Sequence, residues 1–290
     1  MKICLLCHAE FKSRDWRCPA CGKEPAMFEG FPTFIPEQAT IRSEYKIEHY
    51  DALAELEEKN FWFLARNKLL IWAMNQYFPQ VNNYCEVGCG TGFVLAGFNR
   101  AFPELQLSGS EIFAEGLRYA TKRVDTAKLF QMDARNIPFS NEFDVIGAFD
   151  VLEHIEDDTK ALSQFYQATL PKGGVILTVP QHDFLWSYQD EAACHVRRYS
   201  ATELKRKVVN AGFEVVRITS FVSLLLPLMM ASRFMKRSPP KGVYDPQSEL
   251  RLGWITNSIL KGVMEIEFGV IRAGANLPAG GSLLLIAQKQ

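Results

Sequence analysis

Residues 86–92 read EVGCGTG, and they close the short apolar run NNYCEV (82–87), which has the composition of a buried strand. A strand that ends in a glycine turn and passes into a helix is the ligand-binding corner of a doubly wound α/β sheet. Outward from that corner the chain alternates in period. Strand-like runs occur at LQLSGSE (105–111), AKLFQMD (127–133), FDVIGAFD (143–150), GGVILTVP (173–180), GFEVVRIT (212–219) and GSLLLIAQ (281–288), with helical stretches between most of them. Near-continuous apolar strands separated by helices predict a parallel sheet covered on both faces. The dinucleotide fingerprint GxGxxG sets its third glycine three positions after the second. Here Gly88, Gly90 and Gly92 run GxGxG, position 93 is Phe, and acidic Glu86 precedes the turn. The spacing argues against NAD and for a ligand without a pyrophosphate.

At 290 residues and 48% hydrophobic, the chain can bury one full-sized core plus a small appendage. A net charge of −1 is not the basic footprint of a nucleic-acid binder. The opening MKICLLCHAEFKSRDW lacks the apolar core of a signal peptide. The longest apolar run, FVSLLLPLMMA (221–231), contains Pro227 and is too short to cross a bilayer. A cytoplasmic protein is the expectation.

Four of the seven cysteines lie in the first 21 residues, as Cys4-x-x-Cys7 and Cys18-x-x-Cys21. Two CxxC pairs offer four thiolates to one tetrahedral zinc. The closed Cys4 shell makes that zinc structural, a staple for a segment too short to hold a core. A disulfide pair is the alternative, disfavoured by the cytosolic character of the rest; His8 is a bystander. The expected organisation is a zinc ribbon over 1–36, with MFEGFPTFIPEQ (27–38) as its last strand and exit. N-terminal helices over 37–80 follow, then an α/β domain over 81–290. In the helical segment apolar residues recur at Tyr45, Tyr50, Leu53, Leu56, Phe61, Leu64, Leu69, Trp72 and Tyr77 before Pro79.

EVGCGTG resembles motif I of the class I S-adenosylmethionine-dependent methyltransferases, and the resemblance runs from the helices near residue 60 to the C-terminus. It implies a Rossmann-like seven-stranded sheet with helices on both faces, S-adenosylmethionine as methyl donor and S-adenosylhomocysteine as product. Carried over residue by residue, Gly88, Cys89, Gly90 and Gly92 cradle the donor, and Glu86 lies near its charged amino end. Glu111 and Ile112 then meet the ribose hydroxyls, and Asp133 and Ala134 the adenine. FDVIGAFDVLEHIED (143–157) resembles motif IV, which implies that Asp150, Val151 and the residues to His154 line the donor pocket. The helix before motif I folds over the donor in this family, so Trp62 and Arg66 would meet the sulfonium and the carboxylate. Read by residue type alone, Glu86 is equally a helix cap, Cys89 a packing residue, and Trp62 and Arg66 ordinary helix core and surface.

Methyl transfer from a sulfonium needs alignment and exclusion of water, and a hydroxyl acceptor also needs a base. Two histidines qualify: His154 after motif IV, and His195 in AACHVRRYSATEL (192–204), a loop after the fifth strand. Either is equally a hydrogen-bonded structural residue; His8, His49 and His182 have no comparable context. From Arg197 to Lys241 ten Lys/Arg face two acids, a local net of +8 that leaves about −9 for the remainder. Inside this stretch lies the apolar SFVSLLLPLMMASRF, followed by KRSPPKGVYDP (236–246). A positive rim beside apolar surface suits an anionic amphiphile or peripheral contact at the inner membrane surface through 221–241. The alternative is a solvated helix packed on the sheet. The insertion at about 221–276 is expected to form a helical cap over the acceptor, and the arrangement resembles a bacterial subgroup linked to cell-surface polysaccharide or lipid pathways.

Three classes compete. The first is a methyltransferase of a small molecule or a lipid- or sugar-linked acceptor, directed at a hydroxyl. The second is an RNA methyltransferase with the ribbon on RNA. Residues 1–24 carry five Lys/Arg against three acids, a poor phosphate footprint, and motif IV lacks an NPPY-type tetrapeptide. The third is a non-catalytic partner protein, against which the intact donor motifs count.

Overall fold

The computed structural model describes residues 1–39, 47–235 and 251–290. Tyr45, the cations Lys236, Arg237 and Lys241, and the loop KRSPPKGVYDP lie outside the described residues. The chain begins with a two-stranded ribbon, β1 (Lys2–Ile3) and β2 (Glu10–Phe11), and a hairpin, β3 (Ala26–Phe28) and β4 (Phe31–Thr33). Three helices follow: α1 (Pro36–Ala39), α2 (Ile47–Glu57) and α3 (Phe61–Tyr77). The α/β alternation then runs β5 (Asn83–Val87), α4 (Phe93–Ala101), β6 (Gln106–Glu111), α5 (Ala114–Arg123), β7 (Lys128–Gln131) and β8 (Phe143–Phe149). After a 3-10 turn at Leu152–His154 come α6 (Asp158–Ala168), β9 (Thr169–Pro180), α7 (Tyr188–Ala192), α8 (Ala201–Asn210) and β10 (Glu214–Phe221). Two inserted helices, α9 (Leu226–Met235) and α10 (Trp254–Arg272), precede β11 (Ser282–Gln288).

The strands form one sheet in the order β10-β11-β9-β8-β5-β6-β7-β4-β3. All seven strands expected from the sequence are present, and β11 runs antiparallel to both β9 and β10. The sheet has nine strands because the N-terminal hairpin joins it: β4 pairs parallel with β7 through Thr33 and Gln131. Trp16 packs edge-on against Phe34, Phe130 and Phe139 at centroid distances of 4.8, 5.8 and 5.5 Å. The segment read as a ribbon exit is therefore part of the sheet edge.

Strand periodicity distributes the core to two faces. Along β11, Leu283, Leu285 and Ala287 join the face covered by α6 and α8, while Leu284 and Ile286 join the face covered by α3 and α4. On β5, Cys85 and Val87 face α6 and Tyr84 faces α3. Glu86 alternates with Cys85 and Val87, so it is directed beneath α3 and α4 on a central strand. Its neighbours β6 and β8 lead to opposite ends of the sheet, and a crevice opens at the carboxyl ends of strands at such a reversal.

The inserted α10 lies along α3, joined by the Lys68–Glu265 ion pair and by Trp72 against Phe268 at 6.2 Å. Asn257 accepts from the Phe61 amide at 2.8 Å and donates to the Lys59 carbonyl at 2.9 Å. Buried Glu267 anchors the helix by accepting from the Val222, Ser223 and Leu224 amides at 2.5, 2.6 and 2.8 Å. Among the described residues, no helix is long and apolar enough to cross a membrane.

Candidate active site

The glycine turn is built by close approach. Gly88, Gly90 and Gly92 have φ of 73°, 50° and 76°, a region costly for residues with a Cβ. A Cβ on Gly88 would overlap the Val151 side chain, so the turn is docked directly on the segment after β8. Gly90 is the opposite case: a Cβ there would meet nothing within 4 Å, and its backbone borders open space. The amides at the start of the turn are already engaged. Gly88 and Cys89 donate to the Ser110 carbonyl at 2.8 and 2.9 Å, and Gly90 donates to Glu111 Oε2 at 3.0 Å. A pyrophosphate would need such amides free. Cys89 is buried and packs towards Gly109.

Below the turn, Glu86 is 3% exposed and its Oε2 has no hydrogen-bond partner. Burial pushes its carboxyl well above the ordinary range; nearby Arg66 opposes this, while Glu57 and Glu111 add to it. Glu111 is also raised by burial, against the amides of Ile112 and Gly90; the Ile112 amide lies 2.8 Å from its Oε1. Asp133 accepts from the Arg135 amide at 2.7 Å and from its guanidinium at 2.6 to 3.1 Å, beside buried Ala134. On α3, Arg66 pairs with Asp150 and stacks 4.4 Å from the Trp62 ring centroid. Asp150 has a left-handed φ of 57°, which turns the chain sharply after β8. One pole of the crevice thus gathers Trp62, Arg66, Glu86, Glu111, Asp150 and the glycines.

The other pole brings the two candidate histidines together. The His154 and His195 rings lie 4.8 Å apart at 76°. The segment after α7 is laced to the turn after β8: the Val196 amide donates to the Glu153 carbonyl at 2.8 Å, and Arg197 to the Ile155 and Glu156 carbonyls at 2.9 and 2.8 Å. His195 Nδ1 meets Asp190 Oδ1 at 2.9 Å, and Arg198 Nε donates to the same oxygen at 2.8 Å. Burial drives His154 down to about 4, reinforced by His195 and opposed by backbone acceptors of Cys194 and Ala193 and by the charge of Asp150.

In the ribbon, the Sγ atoms of Cys4 and Cys21 are 3.6 Å apart, as are those of Cys7 and Cys18, and all four lie within 4.8 Å of one another. Tetrahedral zinc with bonds of about 2.3 Å sets its sulfurs about 3.8 Å apart, whereas a disulfide needs about 2.05 Å. The four cysteines are free of disulfides and fit zinc.

Comparison with known proteins agrees with this architecture. A family model described as "Methyltransferase domain" matches residues 56–218, more than half of the 290-residue chain. The chain belongs to the methyltransferase domain family. An uncharacterized methyltransferase of Schizosaccharomyces pombe is 28% identical over 114 residues, 35% of this chain and 41% of that protein. A probable S-adenosylmethionine-dependent methyltransferase of Mycolicibacterium smegmatis is 24% identical over 165 residues, 55% of this chain and 62% of that protein. The chain thus spans less than two thirds of the length of either relative. Phosphoethanolamine N-methyltransferase 2 of Haemonchus contortus, solved with S-adenosyl-L-methionine, shares the fold. Its TM-score is 0.56 at 19% identity, over 86% of this chain and 58% of that one.

This methyltransferase domain also uses residues that the sequence did not single out. Glu57 on α2 bonds Thr91 Oγ1 at 2.6 Å, and Arg123 reaches both at 2.5 and 2.7 Å, tying α2 and α5 to the glycine turn. Asp190 and Glu153 are the other two. An acid five residues before His195 was a weak signal for Asp190, and Glu153 was read only as part of the run from Asp150 to His154.

Proposed function

We propose that the chain is an S-adenosylmethionine-dependent methyltransferase acting on the hydroxyl of a small-molecule or lipid- or sugar-linked acceptor. The observation that carries the reading is buried Glu86 with its unpartnered oxygen beneath a glycine turn whose first amides are spent. A pocket of carboxylates with Arg66 as its near cation favours a positively charged ligand over a phosphate. S-adenosylmethionine carries a sulfonium and an ammonium. Gly88, Cys89, Gly90 and Gly92 would hold its backbone side, Glu86 its ammonium, Glu111 and Ile112 its ribose. Asp133 and Ala134 would border its adenine, and Trp62, Arg66, Asp150 and Val151 would close over the methyl group.

The donor supplies an activated methyl, so the residues' work is alignment, dryness and proton removal. Asp190 would orient His195 by accepting from Nδ1–H, which leaves Nε2 to take the acceptor's proton, the arrangement of a general base. His154, driven down to about 4, stays neutral beside it. The four cysteines of residues 1–36 would hold a structural zinc. Exposed Leu224, Leu228 and Met230 at α9 favour an amphiphilic acceptor and peripheral contact with a membrane surface.

Calorimetry with S-adenosylmethionine and S-adenosylhomocysteine tests the reading. Micromolar binding that Glu111→Ala weakens at least tenfold, about 1.4 kcal/mol, is expected. A folded, zinc-loaded wild type that binds neither ligand refutes it.

A further inference from the structure

Glu153 is fully buried, and neither of its carboxylate oxygens has a hydrogen-bond partner. A buried acid with both oxygens idle is costly, and such groups are normally hydrogen-bonded, paired or coordinated to a metal. Beside it stand His154 and His195, and one ligand atom from each of the three lies within 4.8 Å of the others. A first-row cation with bonds of about 2.1 Å holds neighbouring ligands about 3 Å apart and opposite ones about 4.2 Å apart. Closing the difference takes under about 1 Å of side-chain movement. The second shell is in place: Asp190 engages His195 Nδ1 and leaves Nε2 as the free ligand atom, and Arg198 fixes Asp190. A carboxylate behind a ligating imidazole is the usual support of a metal-bound histidine. The lacing of residues 196 and 197 onto 153–156 holds both histidines to one backbone frame.

We propose that Glu153, His154 and His195 form a divalent-cation site at the acceptor pole, a two-histidine, one-carboxylate centre for a first-row transition metal. Three protein ligands on one side of an octahedral cation leave positions for a bidentate oxygen ligand. The acceptor class is thereby narrowed to molecules with a hydroxyl next to a second oxygen donor: a vicinal diol, a catechol or an α-hydroxy acid. The inference rests on the methyltransferase reading for its substrate but not for its metal. With the cation bound, His195 serves as a ligand and not as the base. The acceptor's O–H proton goes to solvent as its oxygen enters the site. That oxygen forms the new O–CH3 bond while the S–CH3 bond breaks, and the electron pair stays on sulfur in neutral S-adenosylhomocysteine.

The test is Mn2+ titration of the full chain, its zinc content measured beforehand, with free Mn2+ read from its electron paramagnetic resonance signal. Thiolates bind this hard cation poorly, so the ribbon does not compete. One saturable site per chain is expected, weakened more than tenfold in Glu153→Gln and in His195→Ala, and about tenfold in Asp190→Asn. His195 lies on a partly exposed turn, so His195→Ala keeps the test decisive if Glu153→Gln misfolds. Absence of saturable Mn2+ binding, or equal binding by wild type and His195→Ala, overturns the proposal. S-adenosylhomocysteine binding measured on the same samples separates the two readings. Donor binding without Mn2+ binding removes the cation and leaves His195 as base, whereas Mn2+ binding without donor binding removes the methyltransferase reading and leaves the metal site.

Discussion

Glu86→Gln should make the ligand-free protein more stable and its donor affinity lower. The carboxylate is 3% exposed with Oε2 unpartnered, and burial raises it well above the ordinary range against the pull of Arg66. A group whose folded pKa is raised contributes stability that is full below its unfolded value and lost as pH rises through the folded one. The ligand-free wild type should therefore weaken relative to the variant as pH rises above the ordinary carboxylate range, a comparison made at about pH 5 and about pH 8. An unsatisfied buried polar group costs about 1–3 kcal/mol. The amide is itself polar and keeps part of that cost, so the variant should gain about 1 kcal/mol, about 2–4 °C in Tm. Donor binding should move the other way: a hydrogen bond to a charged group is worth about 1.5–3 kcal/mol, or about 10- to 150-fold in Kd. Calorimetry with S-adenosylmethionine and with methylthioadenosine, which lacks the amino-acid end, reads the second effect; thermal denaturation at both pH values reads the first. An equal loss for both ligands, or a lower Tm for the variant at pH 8, would refute the assignment of Glu86 to the ammonium.

Other substitutions probe the frame around that carboxylate. Gly88→Ala meets Val151 and a φ of 73°, so it should abolish donor binding. Adding Val151→Ala should restore part of it by calorimetry, leaving the backbone strain of about 1–2 kcal/mol. Trp16→Ala removes the half-buried ring between Phe34, Phe130 and Phe139 and should cost about 2–3 kcal/mol in denaturant unfolding. Glu267→Gln leaves one carbonyl oxygen for three amides and should cost about 1–3 kcal/mol, with faster hydrogen exchange at Val222 to Leu224; unchanged exchange there would contradict the anchoring role.

The sheet was legible because its strands are apolar on both faces and its corner carries a glycine spacing that few ligands require. GxGxG read against a dinucleotide, and the engaged amides of Gly88, Cys89 and Gly90 give that reading its physical cause. The two histidines were legible as residue types with context; their meeting was not, because 41 positions separate them and the hydrogen bonds that join their segments end on the carbonyls of residues 153, 155 and 156, which carry no residue-type signal. Glu153 was read only within the run from Asp150 to His154, with no role of its own. Its burial follows from the sharp turn at Asp150, a non-glycine residue with positive φ that no local pattern announced. The β4–β7 pairing was missed because a three-residue strand with Pro32 at its centre and Pro36 just beyond looks like an exit when the partner strand lies almost a hundred residues away.

That pairing alters what the cysteines can do for the rest of the chain. β7 is the edge of the seven-stranded methyltransferase sheet, and an open edge invites pairing with another chain. The hairpin β3–β4 covers it, but through one register pair, which is too little to hold a three-residue strand against loop entropy. Gln131 supplies the remainder. Its side chain accepts from the Ile35 amide at 3.1 Å and donates to the Ile35 and Ile112 carbonyls at 3.0 and 2.8 Å. Ile112 follows Glu111, whose carbonyl accepts from the Met132 amide at 3.2 Å, one residue before Asp133. The cover strand, the turn after β6 and the turn after β7 therefore share one glutamine. Whatever orders residues 1–33, four thiolates on a cation or the Trp16 packing, therefore also orders Gln131 and the two turns beside it, which gives the ribbon a route to the proposed donor site.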